Sequence, residues 1–259
     1  MPWLMFTGRR AASLGVSFLL FVTVPPVVRG QQFSDFITPT PLPPGHTLVL
    51  GFLGGRQPWN NSREGTRRLA LRLRARNLRG VHVETLANRK RKLALELIQK
   101  AFDSNGDGRL EVSERRAVRL VVYGQSFGGA AVVKLARELE KLDIPVLLTV
   151  QVDSIGRGDA LIPPNVRRAA NLYQRDGLLI RGEPEIRAEN SEGTQILGNF
   201  SFSYKSKKVD MSGVAWHKKI FRGAHAKMDR DPEVWEKVEE LVLAELGKES
   251  AARSEGFPQ

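Results

Sequence analysis

The chain has 259 residues, a formal net charge of +12, 41% hydrophobic residues and no cysteine. This length and apolar content predict one large domain or two small ones with a real core, and they exclude a disordered chain. The absence of cysteine excludes disulfides, thiolate metal sites and cysteine catalysis. The basic charge favours an anionic envelope surface or an anionic substrate as a partner. The basic clusters alternate with Leu and Ala at helical spacing, which is typical of solvated helix faces, so we expect no nucleic-acid partner.

Residues 1–30 have the pattern of a secretory signal peptide. Arg9 and Arg10 end a short n-region, and a largely apolar run over 14–24 follows and is broken by Pro25. That run is too short to span a bilayer, which favours a cleaved signal, with an uncleaved anchor as the alternative. We therefore expect an exported protein that is periplasmic, envelope-associated or secreted.

The rest of the chain divides by composition into a linker, one domain and a tail. Residues 31–45 are rich in Pro and Thr, which indicates an extended linker or a wrapping arm, and residues 247–259 are polar and expected to be flexible. From 46 to 246 strands and helices alternate, which predicts an α/β fold with a mostly parallel sheet covered by helices on both faces. We expect strands at 47–51, 81–85, 118–123 and 146–152, a further possible strand at 178–180, and helices at 62–77, 90–102, 129–142 and 231–246.

A nucleophile motif follows the third predicted strand. Gly124-Gln-Ser-Phe-Gly-Gly129 contains G-x-S-x-G between a strand and a helix, the context that this motif requires. Side chains at the motif's glycines would collide with the neighbouring strand and helix. The turn lifts the Ser126 hydroxyl to the sheet edge and directs the free N–H groups of the helix N-terminus at a developing oxyanion. Ser126 is therefore the predicted nucleophile.

A G-x-S-x-G turn between a strand and a helix resembles the one in α/β-hydrolases, and this resemblance implies the chain order serine, acid, general base. Of four histidines in the chain, only His217 and His225 follow Ser126. We prefer His225, which we expect in a loop just before the last helix, over His217, which lies beside two lysines.

The acid that orients this imidazole has three candidates. Asp153 ends the apolar strand after the nucleophile strand and is the first choice. Asp176, just before Gly177, is the competitor, and Asp210 is a weaker one. Asp153 can also be interpreted as an aspartate that only stabilises the turn after its strand.

Two backbone N–H groups are needed to hold an oxyanion. Phe127, the residue after the nucleophile, should supply one. The other should come from the glycine-rich segment 51–55, at Phe52 or Leu53. A purely structural glycine turn remains an alternative for this segment.

A calcium-loop motif precedes the nucleophile strand. Residues 103–114 match D-x-[DN]-x-[DN]-G-x5-E, with Gly108 at the sharp turn and a predicted helix leading in. The exit helix, expected over 114–117, has only about one turn, so we expect one EF-hand-like loop that holds a structural Ca²⁺ and is not a sensor. The expected ligands offer oxygen at the loop positions that calcium uses: Asp103, Asn105, Asp107, Arg109 through its carbonyl, Glu111 and Glu114.

These motifs together resemble a known superfamily. From 46 to 246 the chain resembles an α/β-hydrolase of the lipase/esterase kind, although Gln125 stands where many lipases carry His, a difference we expect to have no effect on mechanism. The resemblance implies an α/β-hydrolase fold and a Ser-Asp-His triad that cleaves a small-molecule or lipid ester, and it implies no particular substrate. The segments 103–114, 123–129, 147–153, 162–166, 171–174 and 225–235 resemble a bacterial group of exported α/β-hydrolase-like proteins with this calcium loop.

Other functions stay open at this stage. A non-catalytic calcium-binding protein on a hydrolase scaffold, or an envelope protein that acts through its basic surface, would carry the same motifs. No lid insertion is evident, but segments 159–171 and 183–210 are the ones expected to cover the pocket.

Overall fold

A computed structural model describes residues 30–177, 180–214 and 216–255. For 216–222 and 249–255 it describes the backbone alone. The predicted signal peptide, apart from Gly30, and residues 178–179 of the possible strand lie outside the described residues. The elements are β1 (Thr47–Leu53), α1 (Gly65–Ala75), β2 (Val81–Ala87), α2 (Arg91–Phe102), α3 (Val112–Ala117), β3 (Leu120–Gln125), α4 (Phe127–Glu140), β4 (Val146–Val152), β5 (Leu161–Ile162), β6 (Val166–Gln174), β7 (Arg187–Ala188), β8 (Gln195–Phe202), α5 (Trp216–Arg230) and α6 (Pro232–Glu255).

The central sheet has six strands in the order β2-β1-β3-β4-β6-β8, and every neighbouring pair is parallel. Alternate residues of each strand face opposite sides, so Leu48 and Leu50 pack with α2 and α4 while Val49 packs with α1 and α6. The helices thus cover both faces, and the predicted α/β-hydrolase fold class is confirmed. No helix of the described residues is long and apolar enough to cross a bilayer.

The second half of the sheet departs from the predicted elements. The segments expected to cover the pocket instead contribute β6 and β8, which extend the sheet beyond β4. Their polar residues hide the strand pattern: Arg168 of β6 pairs with Glu245 of α6, and Gly198 interrupts β8 where the register shifts. Helix α6 also continues to Glu255, past its predicted end at 246.

The Pro/Thr-rich segment packs against the domain as an ordered arm. The buried Glu84 carboxylate of β2 accepts hydrogen bonds from the backbone N–H groups of Ile37 and Thr38 at 2.8 and 2.9 Å. Arg74 pairs with the same carboxylate at 2.7 Å, which balances its buried charge. The Leu42 N–H donates to the Ala101 carbonyl of α2. The arm therefore covers the outer strand β2 and one end of α2.

Candidate active site

Ser126 lies on a strained turn between β3 and α4, at the carboxyl end of a strand in the middle of the sheet. Its φ of 60° and ψ of −126° are sparsely populated for a residue with a side chain. Such a conformation costs about 1–3 kcal/mol and persists only where the surrounding structure holds it. Here the Ser126 N–H donates to the Val152 carbonyl at 2.9 Å, which ties the turn to β4.

The two outer glycines of the motif are required by close packing. A Cβ on Gly124 would lie 2.5 Å from the backbone of Gly128, and a Cβ on Gly128 would lie 2.0 Å from the Phe52 carbonyl oxygen. Neither distance is tolerable for a real side chain. The start of α4 therefore approaches β1 and β3 closely enough to hold Ser126 at the sheet edge.

Three of the residues predicted from sequence meet at this turn. His225 Nε2 lies 3.0 Å from Ser126 Oγ, and His225 Nδ1 lies 2.6 Å from Asp153 Oδ2. Each of the three is at most 5% exposed. A hydroxyl, an imidazole and a carboxylate connected in this order form the arrangement that activates a serine nucleophile.

Asp153 directly follows β4 and is fixed by residues of the next strand. The Gln174 side-chain amide donates to Asp153 Oδ2 at 2.9 Å, and the Gln174 backbone N–H donates to Oδ1 at 3.3 Å. Gln174 ends β6, which neighbours β4 in the sheet. Sequence reasoning missed Gln174 because it did not predict β6. The signal that would have found it is a polar residue at the carboxyl end of a strand parallel to β4.

His225 lies on a helix and not in the predicted loop. Helix α5 is kinked at Gly223, whose φ of 27° and ψ of −109° interrupt the helical backbone. A new helical segment begins after this glycine and carries His225 towards the sheet edge. The alternative base, His217, lies among the residues whose side chains are not described.

The alternative acids are engaged elsewhere. Asp176 accepts hydrogen bonds from the Tyr204 N–H at 2.6 Å and from the Ser203 hydroxyl at 2.8 Å, and these bonds lower the pKa of Asp176. Asp210 accepts hydrogen bonds from the N–H and the hydroxyl of Ser212. Asp210 thus stabilises a local turn and Asp176 fixes the segment that follows β8, whereas Asp153 contacts the imidazole.

Gln125 takes part in the site, contrary to expectation. Its side-chain nitrogen lies 3.4 Å from His225 Nε2, the same imidazole atom that faces the Ser126 hydroxyl. The Gln125 side chain is buried, so a residue of a different shape there would change the surroundings of the imidazole. Gln125 therefore forms part of the surroundings of His225.

The predicted oxyanion donors lie beside the turn over 124–128 that carries Ser126, which we call the elbow. Phe127 is the first residue of α4, so its N–H has no partner within the helix ladder. Phe52 pairs in register with Gly124, and Leu53 is the last residue of β1. The chain then turns at Gly54, where an added Cβ would lie 2.9 Å from Ser126 Cβ. The end of β1 thus comes within contact distance of Ser126.

A cavity of about 310 Å³ opens at Ser126 and His225. Asp229, one helical turn after His225, lines it and accepts a hydrogen bond from the Gly65 N–H at 3.0 Å. Burial raises the pKa of Asp229, and this hydrogen bond opposes the rise. Sequence reasoning missed Asp229, which its i+4 spacing from His225 would have indicated. The other polar lining residues are Gln57, Asn61, Arg63, Glu64, Gln125 and Arg230.

The predicted calcium loop folds around its own backbone amides. Asp103 accepts hydrogen bonds at 2.8 Å from the N–H groups of Gly106 and Gly108. The Asn105 and Asp107 side chains each accept from the N–H two residues later, at 2.9 and 2.8 Å. These turns place oxygens of positions one, three and five around the bend of the loop.

The last predicted ligand, Glu114, is held by protein donors. Its carboxylate accepts hydrogen bonds from the Ser104 hydroxyl at 2.6 Å and from the Glu111 N–H at 3.0 Å, and these bonds lower the pKa of Glu114. Helix α3, which follows, begins at Val112 and is longer than the predicted exit turn. Among the described residues no three His, Cys, Asp or Glu side chains converge closely enough to hold a metal ion.

Comparison with solved structures gives weak likenesses. A dienelactone hydrolase from Anabaena variabilis ATCC 29413, known from a crystal structure, is similar at 15% identity over 78% of this chain and 86% of that chain, with a TM-score of 0.39. A likeness this weak carries no argument about fold or activity. The fold assignment rests on the sheet order and the elbow. No family model and no curated protein sequence matches the chain.

Proposed function

We propose that this protein is a serine hydrolase that cleaves an ester by acyl transfer to water. The observation that carries the proposal is the continuous hydrogen-bonded connection from Ser126 through His225 to Asp153. Ser126 Oγ is close enough to His225 Nε2 to give up its proton as it attacks a carbonyl carbon. The Asp153 carboxylate holds the tautomer with the proton on Nδ1 and stabilises the imidazolium that forms.

The two halves of the reaction use the same groups. The carbonyl electron pair moves onto oxygen in the tetrahedral intermediate, where the Phe127 N–H and a second N–H from the end of β1, at Phe52 or Leu53, hold the oxyanion. Collapse of the intermediate breaks the ester C–O bond, and the leaving alcohol takes the proton from His225. A water molecule deprotonated by His225 then attacks the acyl-serine and releases the acid.

Fluorophosphonate labelling followed by intact-mass measurement tests this proposal. We expect one adduct on the purified protein and none on Ser126→Ala. Ser203→Ala is the matched control, because Ser203 is an exposed serine bonded to Asp176, and it should label like the wild type. A folded sample that gains no adduct, or a Ser126→Ala variant that still labels, would contradict the proposal.

We further propose that the loop from Asp103 to Glu114 binds a structural Ca²⁺. The support is the oxygen-only donor set and the turns that already curl positions one to five. Bidentate binding by Glu114 requires its Oε1 to give up hydrogen bonds that it accepts from the N–H and hydroxyl of Ser104 and the N–H of Asn105. The loop connects α2 to α3 and β3, so a bound ion would stiffen the connection that leads to the elbow.

The proposed location is outside the cytoplasm, with an anionic envelope surface as a possible partner. The support is the signal-like pattern of residues 1–30 and the net charge of +12. Mass spectrometry of the protein recovered after expression in a bacterium tests this. A mature N-terminus near Gln31 is expected, and an intact N-terminus in the cytoplasmic fraction would contradict export.

A further inference from the structure

A second concavity lies on the other side of the nucleophile elbow, and we call it the Phe127 groove. It has a volume of about 450 Å³ and is lined by Phe127, Ile155 and the residues around them. Phe127 is 52% exposed although it directly follows the buried Ser126. The groove adjoins the active-site cavity, because Asn88 lines the groove and donates a hydrogen bond to the carbonyl of Gly55, which lines the cavity.

The Phe127 groove carries four cationic side chains. Arg91 is paired with Glu138 at 3.1 Å. The side chains of Arg89, Lys134 and Arg157 make no hydrogen bond or ion pair with any residue that the structure describes. Three uncompensated cations around an exposed aromatic ring suit a ligand with an apolar body and a negative charge.

The acidic groups near the groove compensate only part of this charge. Glu138 is paired with Arg91, and Asp159, buried beneath Gly156, is one carboxylate against three further cations. The active-site cavity differs, because its two arginines, Arg63 and Arg230, are accompanied by Glu64 and Asp229. Negative charge on a substrate is therefore better accommodated in the groove than in the cavity.

The position of His225 decides which half of an ester the groove would hold. The leaving oxygen must come within hydrogen-bond reach of His225 Nε2 to receive its proton. His225 lines the active-site cavity and does not line the Phe127 groove. The leaving group therefore belongs on the cavity side, and the acyl group extends over Phe127.

We propose that the Phe127 groove binds the far end of an anionic acyl group. The preferred substrates are then esters of acids that carry a second carboxylate at the end of a short apolar chain. This inference rests on the proposed hydrolase function and adds the substrate class to it.

Two esters with the same six-carbon acyl chain test the proposal. Mono-p-nitrophenyl adipate carries a terminal carboxylate, and p-nitrophenyl hexanoate does not. We expect kcat/KM to be about tenfold higher for the adipate ester, and Lys134→Glu to reduce this ratio about tenfold, as several charge pairs of modest strength allow. The ratio should also fall as salt is added, because the cations are exposed.

The matched control is Arg79→Glu, which makes the same change in charge. Arg79 is exposed and precedes β2, so it lies at the amino ends of the strands, whereas the groove lies at their carboxyl ends. The adipate-to-hexanoate ratio should be unchanged in this variant. An equal loss in both variants would show a general charge effect and overturn the proposal, as would a ratio that Lys134→Glu does not alter.

A binding measurement separates the failure of this inference from the failure of the hydrolase proposal. Calorimetry with monoethyl adipate on Ser126→Ala, with and without Lys134→Glu, needs no turnover. Binding that Lys134→Glu abolishes supports the groove even if no ester is hydrolysed. Hydrolysis of the hexanoate ester without preference for adipate overturns the groove and leaves the hydrolase proposal standing. Binding to phosphatidylglycerol vesicles through Lys134, without adipate preference, would reassign the groove to a membrane surface and overturn the proposal.

Discussion

The candidate active site and the predicted calcium loop are built in opposite ways. Ser126, Asp153 and His225 come from positions up to 99 residues apart, and all three are buried where they meet. The loop over 103–114 draws its polar groups from twelve consecutive residues, most of them exposed, and bonds them to its own amides. The local loop keeps its shape through its own turns. The contacts among Ser126, His225 and Asp153 form only while the sheet holds three distant strand and helix ends together.

The largest expected effect separates the proposed triad acid, Asp153, from the alternative acid, Asp176. Asp153→Asn should lower kcat about 10⁴-fold, because the amide disfavours the tautomer that accepts the serine proton. Asp176→Asn should change kcat little and mainly weaken the attachment of residues 203–204. Steady-state kinetics on an ester that the wild type hydrolyses checks both variants. Equal activity losses would show that the site does not depend on the Asp153–His225 contact.

Two glycines test the difference between tertiary and local constraint. Gly128→Ala would place a methyl group 2.0 Å from the Phe52 carbonyl oxygen, so we expect it to destabilise the fold by about 3 kcal/mol or more and to abolish activity. Gly106 has a φ of 73° with open space around it, so Gly106→Ala should cost only about 1–2 kcal/mol. Urea unfolding of both variants gives the comparison, and a larger loss for Gly106→Ala would contradict it.

Calcium should act on the loop region through stability. At a concentration 100-fold above its Kd, the ion would stabilise the folded protein by about 2.7 kcal/mol, which corresponds to a rise in Tm of roughly 5–10 °C for a domain of this size. Asp107→Ala should remove the shift in Tm, because Asp107 is an exposed proposed ligand. Its side chain otherwise accepts hydrogen bonds only from Asn105 and Arg109 of the loop. Asp143→Ala, an exposed acid outside the loop, should keep it. A melting temperature that is the same with calcium and with chelator would rule out this site.

The smallest expected effect concerns pH and lies away from both regions. His46 and His82 stack at the amino ends of β1 and β2, with ring centroids 5.2 Å apart. Burial lowers the pKa of His82 from its usual 6.5, and the nearby His46 lowers it further. The folded state thus favours neutral His82. Its contribution to the free energy of unfolding is fully present above pH 6.5 and is lost as pH falls through the lowered pKa. Urea unfolding at about pH 5 and about pH 7.5 should show the loss in the wild type and a smaller one in His82→Phe. An unchanged pH dependence in that variant would assign the effect to other groups.

Motif spacing allowed much of the site to be predicted. G-x-S-x-G between a strand and a helix located Ser126, because this turn leaves no room for a side chain at either outer glycine. Asp153 and His225 followed from chain order and from their places next to an apolar strand and the last helix. The structure brings these three residues into contact, and it also adds Gln174 and Gln125, which contact them and which no motif marks.

The amino-acid sequence by itself determined the alternation of apolar strands and amphipathic helices, the bounds of β4 and the identity of the elbow, because these depend on local periodicity and on glycine sterics. Only the tertiary structure decided that β6 and β8 join the sheet, since their polar residues find partners on distant elements. It alone decided that Gln174 fixes Asp153 and that the Gly223 kink carries His225 to Ser126. These contacts arise from sheet register and helix packing, which act across long stretches of chain and leave no periodic signal in the sequence.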